Sequence, residues 1–334
     1  MFSPGDPTAR VTIGVVAYGE TDRLYRCVDS LVQHSSTVPF DIVCVVNPDA
    51  RSDVEPPDFP EDVTILRPDA NLGWAGGLHL VRSVVTTEYF VWAQDDMVVA
   101  DRWLDTLVRV ADVHPEAGAV GSVEVDARTR RPNGYAGGFA DPPDRVGLWN
   151  LTDVLRGDRP YDGRPIDWLT SKGLLTRTAA WDDVGGADPT LFPLNHVDKD
   201  YSIHLRAHGW SLLLAPDAHV VHEKHQSGPG QLRSLLATWQ EPRFDSMWGP
   251  VAARLGAGAA ETVPHRCDRV PVPTIDEIER LVGQEASRML VPFANALARQ
   301  IDGARRDLED TRQTLSWRVT APLRGLRRRL ARPR

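Results

Sequence analysis

The chain has no apolar run long enough to cross a membrane. A spanning helix needs about 18 or more consecutive apolar residues, and no window of the 334 residues approaches that number. The first ten residues are polar and contain proline and glycine, so they offer no apolar core of a signal peptide. Neither a spanning helix nor a signal peptide is therefore expected.

Cysteine is also scarce. Cys27, Cys44 and Cys267 are scattered and lack the close spacing of zinc sites. Cys27 and Cys44 stand in apolar patterns and are most simply buried hydrophobic side chains. This pattern favours a reducing, cytoplasmic location.

Basic residues are in the minority except near the C-terminal end. The formal net charge is −8, yet Arg318–Arg334 contains seven arginines and no acid. An acidic body does not favour nucleic acid as a partner, whereas a basic tail can meet an anionic surface. Two interpretations of the tail remain open: peripheral attachment to the inner face of the cell membrane, or a solvated end.

The first half of the chain alternates β-rich runs with helical patterns, which favours a parallel or mixed sheet with crossover helices. Asp101 is predicted to cap one helix, and Arg131 to Arg164 is predicted to be a proline- and glycine-rich loop region. The predicted strands are residues 11–18, 40–46, 63–66, the run before Asp95, 119–125, 166–170, 173–177, 211–215 and 219–222. The predicted helices lie around residues 24–32, 78–85, 104–111 and 201–207.

A new pattern begins at Pro273. Thr274 is followed three residues later by Glu277, which has the form of a capping box. From Leu290 to Leu315 apolar residues recur every three or four positions, which predicts a long amphipathic helix or short coiled coil, kinked near Pro292. A homodimer could form through it. The predicted organisation is a compact domain at residues 1–225, an irregular segment at 226–272, and the helix with its basic tail at 273–334.

The most informative motif is Gln94-Asp95-Asp96. A buried apolar strand ends here in two adjacent carboxylates, whose charge requires compensation. Mg²⁺ or Mn²⁺, held by one or two carboxylates and by ligand phosphates, would supply it. The carboxyl ends of strands in open α/β sheets are also where ligands bind. The alternative is a solvated strand end or a helix cap.

Three further motifs surround this pair in the sequence. Asn71–Gly77 places three glycines between a strand and a helix, which suits a loop that approaches an anion or, alternatively, only a tight turn. It has neither the Walker A nor the dinucleotide spacing. Asp198 and Asp200 precede a helical pattern, where such a residue is either a general base or a helix cap. His222 ends a strand and is either a third metal ligand or a structural histidine.

Taken in order, these motifs resemble an inverting glycosyltransferase of family 2, in its rhamnosyltransferase-like branch. Further matching segments are Val184–Asp188 and Val197–Tyr201, and the resemblance covers about residues 10–225. It implies an α/β GT-A fold, in which a mixed sheet is flanked by helices, here with a C-terminal helical extension. It also implies a nucleoside-diphosphate sugar donor, a glycan or lipid-linked acceptor, and a role in bacterial cell-surface polysaccharide synthesis.

The resemblance also implies roles for individual residues. Asp198 would be the catalytic base, and Asp96 with His222 would bind Mn²⁺ or Mg²⁺. The residues implied for substrate binding are Arg67, Asn71, Gly73, Asp95, Trp168, Lys172, Asp200 and Arg206.

Four positions depart from the family pattern. Gln94 stands where the family usually has Asp, and Val46 stands where an Asp commonly helps to hold the nucleobase. Gly19 and His79 each replace a frequent Asn. Two alternatives follow: a non-catalytic scaffold or glycan-binding subunit, and a sugar-nucleotide pyrophosphorylase. The latter would need a Gly-rich, basic loop after the first strand, and Tyr18 to Asp22 lacks one.

Overall fold

The computed structural model describes residues 8–19, 22–33, 36–48, 59, 63–133, 136–140, 148–158, 165–222, 236, 240–242, 244 and 271–313. The chain divides into two compact units, Met1–Gly283 and Gln284–Arg334. The basic tail lies outside the described residues, as does most of the segment at 226–272. None of the helices in the described part is long and apolar enough to cross a membrane.

Strands and helices alternate along much of the chain, and each kind is numbered in chain order. The strands are β1 (Val11–Tyr18), β2 (Phe40–Asn47), β3 (Val63–Leu66), β4 (Tyr89–Gln94), β5 (Met97–Val99), β6 (Ala117–Glu124), β7 (Gly137–Ala140), β8 (Leu148–Asn150), β9 (Trp168–Leu169), β10 (Leu174–Arg177) and β11 (Ser211–His222). The helices are α1 (Asp22–Gln33), α2 (Gly73–Arg82), α3 (Trp103–Val113), α4 (Leu151–Leu155), α5 (Thr178–Val184), α6 (Val197–Ala207) and α7 (Ile275–Gln313).

An eight-stranded mixed sheet forms the centre of the first unit, in the order β3-β2-β1-β4-β10-β6-β11-β5. Strands β1 to β4 run parallel. Strand β10 then runs antiparallel to both β4 and β6, and β11 is parallel to β6 and antiparallel to β5. A smaller antiparallel sheet has the order β8-β7-β9. The first half is therefore the regular parallel part, and the mixed directions come from the second half.

The main sheet is buried on both faces, which explains why its central strands are continuous apolar runs. Side chains of β1 alternate between two core clusters: Ile13 and Val15 lie in one, and Val16 lies in the other. The second cluster contains an aromatic group. Trp92 lies 5.6 Å from Trp181 and 4.7 Å from Tyr201, measured between ring centroids. Helices α5 and α6 are thereby packed against β4, directly before the acidic turn.

Several elements differ from the sequence prediction. Arg131 to Arg164 is not simply a loop region, because it contains β7, β8 and α4. The two strands predicted at 211–222 are one strand, in which the pairing with β6 shifts register around the exposed Pro216 and Asp217. Asp101 does not cap α3, since Arg102 is the N-cap residue and makes no side-chain capping hydrogen bond.

The C-terminal helix α7 begins as predicted. The Thr274 hydroxyl accepts a hydrogen bond from Glu277 N at 3.3 Å, and the Glu277 carboxylate accepts one from Thr274 N at 2.8 Å. This reciprocal pair is a capping box. The helix continues as one element through Pro292. Its apolar side chains Leu290, Leu297, Ile301 and Leu308 are 45–64% exposed.

Candidate active site

The turn between β4 and β5 places Asp95 and Asp96 at the carboxyl end of a central strand. Both residues are nearly buried, with 9% and 8% exposure. Asp95 Oδ2 lies 3.8 Å from Arg23 Nη2, whereas Asp96 Oδ1 lies 3.1 Å from His222 Nε2. The two adjacent acids therefore face different partners.

Asp95 is held in a setting that opposes its ionisation. Burial and the neighbouring Asp96 carboxylate raise the pKa of Asp95 to about 6, against a smaller opposing effect of Arg23. Two negative charges in one buried turn are costly because neither is well solvated and each repels the other. A cation beside Asp96 would relieve this repulsion.

Strand pairing explains why His222 reaches the acidic turn from so far along the sequence. Strand β11 lies between β5 and β6, with His222 opposite Met97 and Val220 opposite Glu124. His222 therefore stands between two carboxylates. Its Nε2 faces Asp96, and its Nδ1 lies 3.9 Å from Glu124 Oε2.

Glu124 completes this group together with Lys172. Glu124 ends β6 and is only 1% exposed. Its carboxylate accepts a hydrogen bond from Lys172 Nζ. We call Asp95, Asp96, His222, Glu124 and Lys172 the carboxylate–histidine cluster. It is a compact set of three carboxylates, one imidazole and one ammonium group.

The pair Asp96 and His222 has the spacing that a divalent cation requires. With metal–ligand bonds of 2.0–2.1 Å, neighbouring ligand atoms of an octahedral ion are about 3.0 Å apart, close to the 3.1 Å found here. Among the described residues, no group of three or more His, Cys, Asp or Glu side chains is arranged to hold a metal. The cluster thus fits a cation that takes two ligands from the protein and the rest from water or phosphate.

A second group surrounds Asp198, at the start of α6. This helix begins at Val197, so Asp198 and Asp200 lie in its first turn rather than before it. Asp198 Oδ2 accepts a hydrogen bond from Ser171 N at 3.2 Å. The Ser171 hydroxyl accepts one from Gln94 Nε2 at 3.1 Å. We call Asp198, Ser171 and Gln94 the Ser171 network.

The turn from Thr170 to Gly173 joins the two groups, because Ser171 belongs to one and Lys172 to the other. Gly173 has φ +68°, and a Cβ there would lie 2.7 Å from Ser122 Oγ, so a larger residue would strain the turn. Gly173 N donates to Trp92 O at 3.1 Å, and Gly173 O accepts from Ser122 Oγ at 2.7 Å. The turn is therefore anchored to the strands beneath it.

The glycine-rich loop is stabilised by its own polar groups. Asn71 Oδ1 accepts from Gly73 N at 2.8 Å, and Asn47 Oδ1 accepts from Leu72 N at 2.8 Å. A Cβ on Gly73, whose φ is +67°, would lie 2.8 Å from Pro193 O, and one on Gly77 would lie 2.6 Å from Val16. Close packing therefore restricts both positions to glycine.

The remaining predicted substrate-binding residues have varied surroundings. Arg67 is exposed directly after β3. Trp168 is 5% exposed, with Lys199 Nζ 5.2 Å from its ring centroid. Arg206 donates to Ile166 O at 2.7 Å and pairs with Asp167 at 3.2 Å. Asp200 is fully buried, so in this structure it offers no surface to a substrate and occupies a supporting position.

Sequence reasoning missed Glu124 and the structural use of Ser171 and Gln94. Glu124 carried a usable signal, since it is an acid that ends an apolar strand, like Asp95. Ser171 carried none, because its contribution to Asp198 comes from a backbone N–H group. Gln94 stands where an acid was expected, and its amide is engaged with Ser171.

Comparison with known proteins identifies the family and the fold of the chain. The family model described as "Glycosyltransferase like family 2" matches residues 7–241. The N-acetylglucosaminyl-diphospho-decaprenol L-rhamnosyltransferase of Mycobacterium tuberculosis, in strains CDC 1551 / Oshkosh and ATCC 25618 / H37Rv, is 30% identical over 203 residues. The match covers 53% of this chain and 64% of the relative, so this chain spans less than two thirds of the length of those relatives.

Among solved structures, GalNAc-T7 with UDP, GalNAc and Mn²⁺ aligns with a TM-score of 0.53 at 15% sequence identity. The alignment covers 83% of this chain and 55% of that one. At this identity the likeness supports the fold alone, a GT-A mixed sheet flanked by helices. Since the family model matches well over half of the sequence, the chain belongs to glycosyltransferase-like family 2.

Proposed function

We propose that the chain is a metal-dependent, inverting glycosyltransferase. It moves a sugar from a nucleoside-diphosphate donor to a hydroxyl group of a glycan, glycolipid or natural-product acceptor. The observation that carries the proposal is the 3.1 Å approach of Asp96 and His222 at the carboxyl end of β4. Asp198 is linked through Ser171 to Gln94, the last residue of the same strand. Family membership supports the reaction class.

The metal ligands are Asp96 and His222. A bound Mn²⁺ or Mg²⁺ supplies neutralisation of the charge on the departing nucleoside diphosphate. Asp95, turned towards Arg23, is left for the ribose or diphosphate side of the donor. Arg67, Asn71 and the loop at Gly73 lie along the nucleotide part of the pocket.

Asp198 is the general base. Its two oxygens accept the N–H groups of Ser171 and Lys199, and an ionised carboxylate has about four acceptor positions, so capacity for a hydroxyl proton remains. As the acceptor oxygen bonds to the anomeric carbon, the bond from that carbon to the phosphate oxygen breaks, and the proton passes to Asp198. One displacement inverts the anomeric configuration. Trp168 and Arg206 belong to the acceptor side, and the fully buried Asp200 occupies a supporting position there.

The mycobacterial relatives narrow the choice of substrates. Their name gives an L-rhamnosyl donor group and an acceptor on decaprenol diphosphate. A deoxyhexose donor and a lipid-linked acceptor, used in cell-surface polysaccharide synthesis, are therefore the substrates to test first. Peripheral attachment through Arg318–Arg334, which lies outside the described residues, would suit such an acceptor.

The test replaces Asp198 with Asn in the full chain and measures transfer from dTDP- and UDP-deoxyhexoses. Transfer should fall by about 10²- to 10⁴-fold, because a general base contributes on that order, while binding of the nucleoside diphosphate stays unchanged. Asp217→Asn, at an exposed position of β11, is the matched control. NMR of the wild-type product should show an inverted anomeric centre.

Two results would contradict the proposal. One is near-normal transfer by Asp198→Asn with folding and donor binding intact. The other is a wild-type protein that neither hydrolyses nor transfers from any sugar nucleotide in a broad panel, which would favour a non-catalytic scaffold subunit.

A further inference from the structure

The ion pair between Glu124 and Lys172 has no part in the reaction as proposed. Glu124 is 1% exposed and the Lys172 side chain 15%. A buried ion pair is weak grounds for stability, because desolvation of the two charges offsets their attraction. Its position directly beside His222 suggests another use.

His222 presents its two ring nitrogens to two different acids. Nε2 lies 3.1 Å from Asp96 Oδ1, and Nδ1 lies 3.9 Å from Glu124 Oε2. The second distance is too long for a hydrogen bond, but a buried carboxylate at this distance still attracts the dipole of an N–H group. In the described part of the chain, Nδ1 is buried and has no hydrogen-bond partner.

The protonation pattern of a ligating histidine makes this geometry meaningful. A neutral imidazole carries one N–H group and one lone pair. If Nε2 gives its lone pair to a cation beside Asp96, the proton must lie on Nδ1. Metal-ligating histidines usually donate that second N–H to a carboxylate or carbonyl, which determines the tautomer and the orientation of the ring. Glu124 is the carboxylate in that position.

We propose that Glu124 is a positioning residue for His222, and that Lys172 holds Glu124 in place for this task. The inference rests on the proposed function, since it concerns the same cation. Glu124 attracts the Nδ1–H group, so that the Nε2 lone pair is directed at the cation position. Lys172 balances the charge of Glu124, so that two uncompensated carboxylates do not face the same imidazole.

This assignment gives Lys172 a role other than the substrate binding predicted from the sequence. Its Nζ is engaged by Glu124, and its backbone neighbour Ser171 is engaged by Asp198. A substitution at Lys172 should therefore have a larger effect on the affinity for the cation than on the affinity for the acceptor.

The experiment measures Mn²⁺ affinity from the EPR signal of free Mn²⁺, with the full chain and with dTDP or UDP in separate arms. The decisive variant is the double substitution Glu124→Gln and Lys172→Met, which leaves the net charge unchanged. We expect Mn²⁺ to bind about 10- to 100-fold more weakly, as is usual when an outer partner of a metal ligand is lost. Glu116→Gln, an exposed acid just before β6, should bind Mn²⁺ like the wild type.

A second variant tests the same inference if the double variant does not fold. Glu124→Asp keeps the charge but withdraws the carboxylate from His222 by one methylene group. If Glu124 positions His222, this variant should bind Mn²⁺ more weakly. If only the net charge matters, its Mn²⁺ affinity should not change. Circular dichroism melting checks the fold of each variant. Wild-type Mn²⁺ affinity in either folded variant, or a lower melting temperature with unchanged affinity, would overturn the inference.

The result also separates this inference from the proposed function. If Asp96→Asn loses Mn²⁺ while the Glu124 variants bind it normally, only the positioning role fails. If the wild type binds no Mn²⁺ with either nucleotide, the metal part of the proposed function fails and the inference fails with it.

Discussion

The carboxylate–histidine cluster and the Ser171 network meet on one turn but are built from different interactions. The cluster consists of charged groups that are almost entirely buried, such as Asp96 and Glu124. The network joins Gln94, Ser171 and Asp198 through hydrogen bonds whose donors are uncharged. Cation binding by the cluster should therefore respond to charge and pH, whereas the hydrogen bonds that position Asp198 should respond to geometry.

The largest expected effect comes from removing the charge that faces His222. Asp96→Asn should lower kcat/KM for transfer by about 10³-fold, because a Lewis-acid metal contributes several kcal/mol. Mn²⁺ binding should be lost with it. Asp95→Asn, at the neighbouring acid turned towards Arg23, should have a smaller effect on both quantities. If the two variants lose Mn²⁺ binding equally, the separate roles assigned to these acids are wrong.

The next effect concerns pH and the metal-free protein. Because its pKa is raised in the folded protein, Asp95 binds a proton more tightly in the folded than in the unfolded state. This preference stabilises the fold fully below pH 3.8, and the stabilisation is lost as pH rises through about 6. A pKa raised from 3.8 to about 6 corresponds to about 3 kcal/mol. Asp95→Asn should therefore be more stable than the wild type at pH 7.5, with the difference vanishing near pH 4.

Urea unfolding in EDTA at several pH values measures this difference. Added Mn²⁺ should reduce it, since binding of a cation stabilises the wild-type fold. A difference that is the same at pH 4 and pH 7.5 would show that the acidic turn is not under electrostatic repulsion.

The smallest effect is expected at Gln94, the member of the Ser171 network that does not contact Asp198 directly. Gln94→Ala removes the hydrogen bond to Ser171 Oγ, and one neutral hydrogen bond is worth about 0.5–1.5 kcal/mol. We expect kcat to fall about 3- to 10-fold with Mn²⁺ affinity unchanged. Gln33→Ala, at an exposed position of α1, is the control. A large loss of Mn²⁺ affinity in Gln94→Ala would show that the two groups are not separable.

Much of the fold could be predicted from the sequence because the central strands are apolar on both faces. The bounds of β1 match the prediction for this reason. Prediction was weakest where local signals conflict with tertiary structure. Pro216 and Asp217 suggested a break between two strands. In the structure both residues lie within β11, where the pairing with β6 shifts register. The strands β7 and β8 were missed in a sequence rich in proline and glycine.

The candidate site was predictable in some of its residues but not in their connections. Asp96 and His222 were proposed as partners, and the structure places them 3.1 Å apart. Glu124 was not proposed, because its contact with His222 depends on β11 lying between β5 and β6. Lys172 was predicted to bind substrate, and only the turn at Gly173 shows that it faces Glu124. Such pairings come from sheet order, which the motifs alone do not contain.

The central claim is that Asp96 and His222 hold a divalent cation for sugar transfer. A crystal structure of the protein with Mn²⁺ and dTDP or UDP, using the anomalous signal of manganese, tests it most directly. One peak is expected within about 2.0–2.3 Å of Asp96 Oδ1 and His222 Nε2, with diphosphate oxygens completing the coordination. A peak elsewhere, or no peak at saturating Mn²⁺ with nucleotide bound, would contradict it.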